Sequence, residues 1–284
     1  VKGHVEAIAM KHRGKAGIDP DLRDEVSSMV EWPIAVFGNF DERFLDVPAE
    51  CLISSMKSHQ KYFHVVDDKG ALMPCFITVS NIDSKDIDQV RMGNERVVRP
   101  RLSDAEFFWH QDQKLKLADR IGSLDTVVFQ KKLGTLGDKT ARIAALAGSI
   151  ATQLGADASL AIRAAQLSKC DLLCEMVFEF TDLQGIMGRY YASIDGEKAV
   201  VAQAIEDHYL PRFAGDKLPG DVTGQAVSIA DKLDSLVGLF AIGQPPTGQK
   251  DPYALRRASL GVLRICMECG LDLDAQELIS EAVN

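Results

Sequence analysis

The stretch Leu167–Phe180, LSKCDLLCEMVFEF, decides how this chain is read. Leu173, Met176, Val177 and Phe180 recur at helical spacing and share one face, with Asp171 nearly opposite. Leu172 and Phe178 widen the apolar surface, so the spacing predicts one helix in the middle of the fold. Cys170 stands directly before Asp171, and Cys174 follows. Three uses fit such a helix: a phosphohydrolase site, a cysteine metal site, or a scaffold element.

Outward from this stretch, the chain is almost wholly helical after Gly137. DKTARIAALAGSIATQLG places Ile143, Leu146, Ala147 and Ile150 on one stripe and ends at Gly155. GQAVSIADKLDSLVGLFAIG does the same with Ala226, Ile229, Leu233, Leu236, Val237 and Phe240, and Asp251-Pro252 opens a further helix. Before Gly137 the pattern is mixed. Asp19-Pro20 starts a helix, PIAVFGNF reads as a short strand, and Pro48 opens another helix. KYFHVVDDKGALMPCFITVSN reads as a hairpin turning at Asp67-Asp68-Lys69-Gly70. ERVVRPRLSDAEFFWHQ is expected to be extended at Arg99-Pro100, then helical from Ser103 as N-cap with Glu106 completing a capping box. The expected architecture is an α+β part over residues 1–130, with the hairpin and a long connecting helix, followed by an all-α domain over 131–284. The whole is mainly α.

Composition narrows the function classes. The chain is long enough, at 284 residues, for two domains with real cores. Its apolar and charged fractions, 46% and 26%, are those of a soluble globular protein, and no apolar run reaches membrane-spanning length. A net charge of −9 argues against a dedicated nucleic-acid domain, so RNA contact must be confined to local basic strips. Six cysteines over this length suggest no disulfide framework, and a reducing cytoplasm is the expectation. The Cys266/Cys269 CxxC has no second CxxC to complete a zinc set, and its helical flanks make both residues small apolar fillers. The N-terminus is mixed and charged, without a secretory signal, and lacks an initiator Met; an internal piece of a longer polypeptide is expected.

In its helical half the chain resembles the HD-type metal-dependent phosphohydrolases. The first-helix His of that family matches Lys139, three residues before Arg142; the namesake His-Asp pair matches Cys170-Asp171; the late-helix Asp matches Asp231; and His208 falls where some members carry histidine. A divalent ion in that fold needs imidazoles and carboxylates converging on one point. An ammonium such as Lys139 has no lone pair to offer, and Cys170 binds only as thiolate. The resemblance therefore implies a degenerate domain in which Asp171 and Asp231 persist as structural groups neutralised by partners such as Lys139. An active metal-dependent phosphohydrolase is the alternative.

A second resemblance covers the chain. MKSHQKYF, GNERVVRPRLSDAEFFW, FQKKLGTLGDKTARI, HYLPRFAGDKLPG, IADKLDSLVGLFAIG and DPYALRRASLGVLRI, in this order and together with the 167–180 region, are similar to the β subunits of bacterial heterotetrameric glycyl-tRNA synthetases. The match is to the middle of that subunit, without its opening segment or anticodon-binding module. The resemblance implies an enzyme that joins glycine to tRNA(Gly) through an adenylate. ATP and magnesium would be used on the α subunit, and the β subunit would supply tRNA binding and complete an α2β2 assembly. It implies no catalytic residue, metal or cofactor in this region, no DNA or membrane partner, and a cytoplasmic location. A spacer holding the anticodon module away from the α subunit is a third reading.

Three basic clusters are the candidates for tRNA contact, because arginine and lysine engage phosphates and rings stack on bases. They are Arg96, Arg99 and Arg101 beside Pro100; Lys57 and Lys61 with His59, Tyr62 and Phe63; and Arg256 with Arg257. Each also has a structural reading. Arg99 and Arg101 would bridge to Asp104 and Glu106, Tyr62 or Phe63 would face the core, and the paired arginines would tie to Asp251 or Asp234.

Overall fold

The computed structural model describes residues 1–283. It divides into two compact units, Val1–Asp112 and a second from Gln113 onward. The division falls at 112/113, where the sequence suggested 130/131; residues 113–130 belong with the helical unit. No helix among the described residues is long and apolar enough to cross a membrane.

The first unit runs α1 (Lys2–Lys11), β1 (Lys15–Ala16), α2 (Pro20–Met29), β2 (Ile34–Asn39), α3 (Ala49–Gln60), β3 (Phe63–Val66), β4 (Leu72–Ser80) and α4 (Ile87–Asp112). Its strands form one antiparallel sheet in the order β1-β3-β4-β2, with Phe63 opposite Ile77 and Val36 opposite Thr78. Alternation puts Cys75 and Ile77 on one face of β4, where Val5 and Ala9 of α1 and Leu22 and Val26 of α2 pack against them. Phe76 points the other way and stacks on Tyr62, with ring centroids 4.5 Å apart. Both faces are therefore covered, and the middle of β4 is apolar at consecutive positions. Asp19 caps α2 by accepting from the Leu22 amide at 2.9 Å. The hairpin turns where expected: Asp67 accepts from the Lys69 and Ala71 amides at 2.8 and 2.9 Å, and Gly70 takes a φ of +85° that a side chain would resist.

Around Pro100 the expectation fails. α4 runs unbroken from Ile87 to Asp112, with Pro100 inside it and Ser103 in mid-helix rather than at a cap. Proline forfeits one helical hydrogen bond and crowds the preceding turn. Against that cost, Val98, Leu102, Ala105 and Trp109 are buried along a single stripe that crosses the proline. Starting the helix at Ser103 would take Val98 out of that stripe, so packing overrides the local preference.

The second unit carries a small hairpin, β5 (Val128–Gln130) with β6 (Gly134–Thr135), that the all-α expectation did not include. Helices follow: α5 (Leu136–Gln153), α6 (Ala158–Leu167), α7 (Glu175–Glu179), α8 (Ile186–Ile194), α9 (Ala199–Asp207), α10 (Val222–Ala241), α11 (Leu255–Glu268) and α12 (Ala275–Val283). A reciprocal Thr135–Asp138 capping box starts α5. α5 and α10 pack on each other and on α6, with α9 against α6 and α10. Ile143, Ala147, Ile150, Ala226, Ile229 and Ala230 are fully buried there. The apolar stripe of α10 holds through Leu233, but Phe240 at its end is 55% exposed.

Leu167–Phe180 is not one helix. α6 stops at Leu167, Cys170–Leu173 forms a 3-10 turn, and Cys174 is extended before the short α7. Met176 and Val177 are buried as expected, whereas Phe178 is 84% exposed. The break follows from Asp171. Its fully buried carboxylate accepts from the amides of Gly185 at 2.6 Å and Gly188 at 3.1 Å, at the start of α8. A buried carboxylate needs such donors, and a regular helix through 167–180 offers it none.

Candidate functional site

Five positions singled out in the sequence lie in the second unit, on different elements: Lys139 on α5, Cys170 and Asp171 in the 3-10 turn, His208 after α9, and Asp231 on α10. Lys139, Asp231 and His208 join one buried ionic cluster, with Lys169 at its centre. The Lys169 ammonium donates to Asp231 Oδ2 at 2.9 Å and to His208 Nε2 at 2.8 Å. His208 Nδ1 lies 2.6 Å from the Ile205 carbonyl, so Nδ1 carries the proton and Nε2 accepts. Lys139 bonds Asp234 Oδ2 and Ser235 Oγ, each at 2.8 Å. It also lies 2.9 Å from Asp231 Oδ1, an ion pair not aligned as a hydrogen bond. Arg142 closes the cluster, with Nε 2.5 Å from Asp234 Oδ1. Asp231, Asp234 and Ser235 reach these partners together because i, i+3 and i+4 share a helix face.

The charge states follow from burial and neighbours. Burial opposes charge on Asp231, but Lys139 and Lys169 outweigh it and hold the carboxyl well below its ordinary range. Burial also opposes charge on Lys139, and Asp231 with Asp234 reverses the balance and raises its pKa. Lys169 is lowered, by burial first and then by Lys139, with Asp231 opposing. Burial and the adjacent Lys169 hold His208 well below the usual imidazole range, leaving a neutral ring. Lys232, bonded to the His208 and Leu210 carbonyls at 3.2 and 2.7 Å, is pushed down to about 8 by burial.

Asp171 stands apart from these ammonium contacts. It was expected to share Lys139; its partners are the Gly185 and Gly188 amides, and its Oδ1 is buried without a hydrogen bond. Burial lifts its pKa to about 6. Cys170 is fully buried, and burial with Asp171 beside it pushes the thiol up to about 12, so no thiolate forms near neutrality.

Among the described residues no three His, Cys, Asp or Glu side chains gather as a metal-ligand set. The donors do not fit a divalent ion: an ammonium lies between the imidazole and carboxylate that a metal would bridge, and a second lies on the other oxygen of that carboxylate. Sequence reasoning missed Lys169, Asp234, Ser235 and the two glycines. The i, i+3 spacing of Asp231 and Asp234 was a visible signal; Lys169, next to Cys170, was masked by the expectation of a helix there.

The candidate tRNA-contacting residues fall in different settings. Lys57 pairs with Asp19 at 2.6 Å and Lys61 with Glu25 at 2.9 Å. Tyr62 and Phe63 are both buried, and Tyr62 donates to Asn94 at 2.6 Å, so neither ring is available to stack on a base. Arg96, Arg99 and Arg101 are exposed on α4. At about 100° per residue, Arg96 and Arg99 lie about 60° apart, and Arg101 lies on the far side of the buried stripe from Arg99. Glu106 pairs with Arg43, at 3.6 Å, rather than with these arginines. Arg256 donates to the Thr247 carbonyl at 2.6 Å and Arg257 to the Arg212 carbonyl at 3.2 Å. Asp251 bonds the Leu255 and Arg256 amides, and Asp234 is taken by Lys139 and Arg142.

The model of the family described as "Glycyl-tRNA synthetase beta subunit" matches residues 1–284. Curated relatives include glycine--tRNA ligase beta subunits from Marinobacter nauticus, 60% identical over 97% of this chain, and Chromohalobacter salexigens, 58% identical over 99%. One from Klebsiella pneumoniae is 56% identical over the full chain. The chain spans 40–41% of the length of these relatives. With a family model matched end to end and identity this high along the whole sequence, the chain belongs to the glycyl-tRNA synthetase beta subunit family.

Proposed function

We infer that this chain is a tRNA-handling and assembly region of a glycine–tRNA ligase, without a catalytic centre of its own. The observation that carries the reading is the Lys169 ammonium bonded by both Asp231 and His208. An imidazole and a carboxylate that hold a buried cation of the protein's own serve structure, since adding a divalent ion would place like charges a few ångströms apart. On this reading the helical unit is a degenerate relative of the HD phosphohydrolases, and glycylation of tRNA(Gly) with ATP and magnesium takes place on an α subunit. The phosphohydrolase alternative needs lone-pair donors where Lys139 and Cys170 stand. The location consistent with this role is the cytoplasm.

Contact with RNA is assigned to the outward side of α4. Arg96 and Arg99 are exposed there at i, i+3, and Phe107, 59% exposed, lies about 20° from Arg96 around the axis. Arginine forks suit an RNA backbone, and an exposed ring about 16 Å further along the same helix suits an unpaired base elsewhere on the strand. Filter binding of tRNA(Gly) to the complete protein tests this. Arg96→Glu with Arg99→Glu should weaken binding and lower the log–log salt slope by about two, while Arg101→Glu should have a smaller effect. An unchanged slope in the double variant returns α4 to a purely structural spacer role.

A further inference from the structure

Beside the ionic cluster lies a cavity of ≈370 Å3, whose walls include Arg212, Arg257, Lys232, Tyr209, Tyr253 and Asp182. We propose that it is an anion site for the phosphate of a nucleotide, clamped by Arg212 and Arg257, with the Tyr253 ring receiving the base.

Two guanidiniums on one cavity are the starting point. Each is anchored by one N–H to a backbone carbonyl: Arg257 Nη1 donates to Arg212 O at 3.2 Å, and Arg212 Nη2 to Gln184 O at 3.3 Å. A guanidinium carries five N–H donors, so each fork keeps several free. Among the described residues neither side chain is ion-paired. Nearby carboxylates have other commitments. Asp231 is matched by Lys139 and Lys169, and Asp251 caps α11 through the Leu255 and Arg256 amides. Asp182 is the remaining acid in the wall. Lys232 adds a third positive charge, with its donors spent on the His208 and Leu210 carbonyls and on Ser228 Oγ.

Positive charge thus gathers on one concavity of a chain whose net charge is −9. Like charges held together cost free energy, and a phosphate relieves that cost while offering oxygens in the geometry a guanidinium fork matches. Tyr209 adds a donor: its hydroxyl is buried with no hydrogen-bond partner, and an anion oxygen supplies the kind of acceptor it lacks. Tyr253 is 43% exposed at the same wall, which leaves its ring open to a base. The volume lies within the range of small-ligand pockets, about 300–1,000 Å3. A free mononucleotide and an RNA strand present the same phosphate to the arginines, and the two sources are separated by experiment.

Calorimetric titration of the complete protein at about 50 mM salt, where phosphate contacts are least screened, separates the sources. The probes are AMP, adenosine and a short single-stranded RNA. AMP, the RNA or both should bind, and adenosine more weakly than AMP. Arg257→Ala should cost at least about tenfold in affinity, and Arg257→Lys should recover part of it. Tyr253→Ala should weaken binding without altering the fold, and Lys198→Ala, at an exposed cation on the opposite end of α9 from His208, should leave it intact. AMP binding that depends on Arg257 identifies a free nucleotide as the source. RNA binding with the same dependence and no AMP binding identifies the polymer. Absence of binding by both probes, or binding indifferent to Arg257→Ala, Arg257→Lys and Tyr253→Ala, overturns the proposal. Because the site stands on the cavity alone, a protein that binds tRNA through α4 but no nucleotide here would sink this proposal and leave the tRNA reading intact.

Discussion

Replacing Lys169 with methionine removes the central cation while keeping a side chain of similar length. Lys169 and Asp231 are only 6% and 15% exposed, and their charges meet at 2.9 Å. At an effective dielectric of about 20 the Coulomb attraction at that distance is about 6 kcal/mol. Part of it is offset, because the variant no longer desolvates an ammonium and Asp231 keeps Lys139. His208 also loses the donor to its Nε2, a further cost of about 1–3 kcal/mol. The net loss expected for breaking a buried pair from one side is about 3–5 kcal/mol. For a unit of this size each kcal/mol moves the melting temperature by about 2–4 °C, so thermal unfolding followed by circular dichroism should shift down by about 6–20 °C. Adding Asp231→Leu removes the stranded carboxylate, and the double variant should recover much of the loss, because replacing both charges with apolar groups is far less costly than orphaning one. A Lys169→Met protein that melts with the wild type, or a double variant that loses the full sum of the two single effects, would refute this reasoning.

Asp171 supplies a pH signature. Its folded-state pKa is raised from 3.8 to about 6, so the folded protein binds that proton more tightly than the unfolded chain. Its contribution is complete below about pH 4 and is lost as pH rises through about 6, by about 3 kcal/mol at 1.36 kcal/mol per pH unit. Asp171→Asn keeps an acceptor for Gly185 and Gly188 but not the titration, so its stability in urea should gain on the wild type between pH 4 and 7; parallel profiles would contradict the assignment. Gly188→Ala would place a methyl 2.5 Å from Ile205 Cγ2 and 3.1 Å from Asp171 Oδ2. It should cost about 1–3 kcal/mol in the same assay, and a neutral substitution would contradict close packing of α8 on Ile205.

What the sequence disclosed was local chemistry. Asp19 before Pro20, the Asp67–Gly70 turn and the apolar stripe of α5 depend on residues close together in the chain, and each forms where its pattern indicates. α4 and the 167–180 stretch depend on residues far away. Pro100 is tolerated because a stripe from Val98 to Trp109 is buried, and the 167–180 helix breaks because Asp171 finds donors 14 and 17 residues later. The site divides in the same way. Lys139, His208 and Asp231 were marked by position in known motifs, and they do converge. Lys169 belongs to no such motif, and neither does Asp234; the packing of α5, α6, α9 and α10 brings Lys169 to Asp231 and Lys139 to Asp234. The cluster at 57–63 taught the converse lesson: its lysines pair with Asp19 and Glu25 and both of its rings are buried, and no local pattern announced either.

The claim beneath all of this is that the protein's own ammonium groups fill the place a catalytic metal would take. Its most direct test is the metal content of the complete protein after equilibration with manganese or zinc, read by mass spectrometry beside an Asp231→Ala variant. The account predicts no binding that depends on Asp231; one equivalent of tightly held metal that disappears in the variant would contradict it.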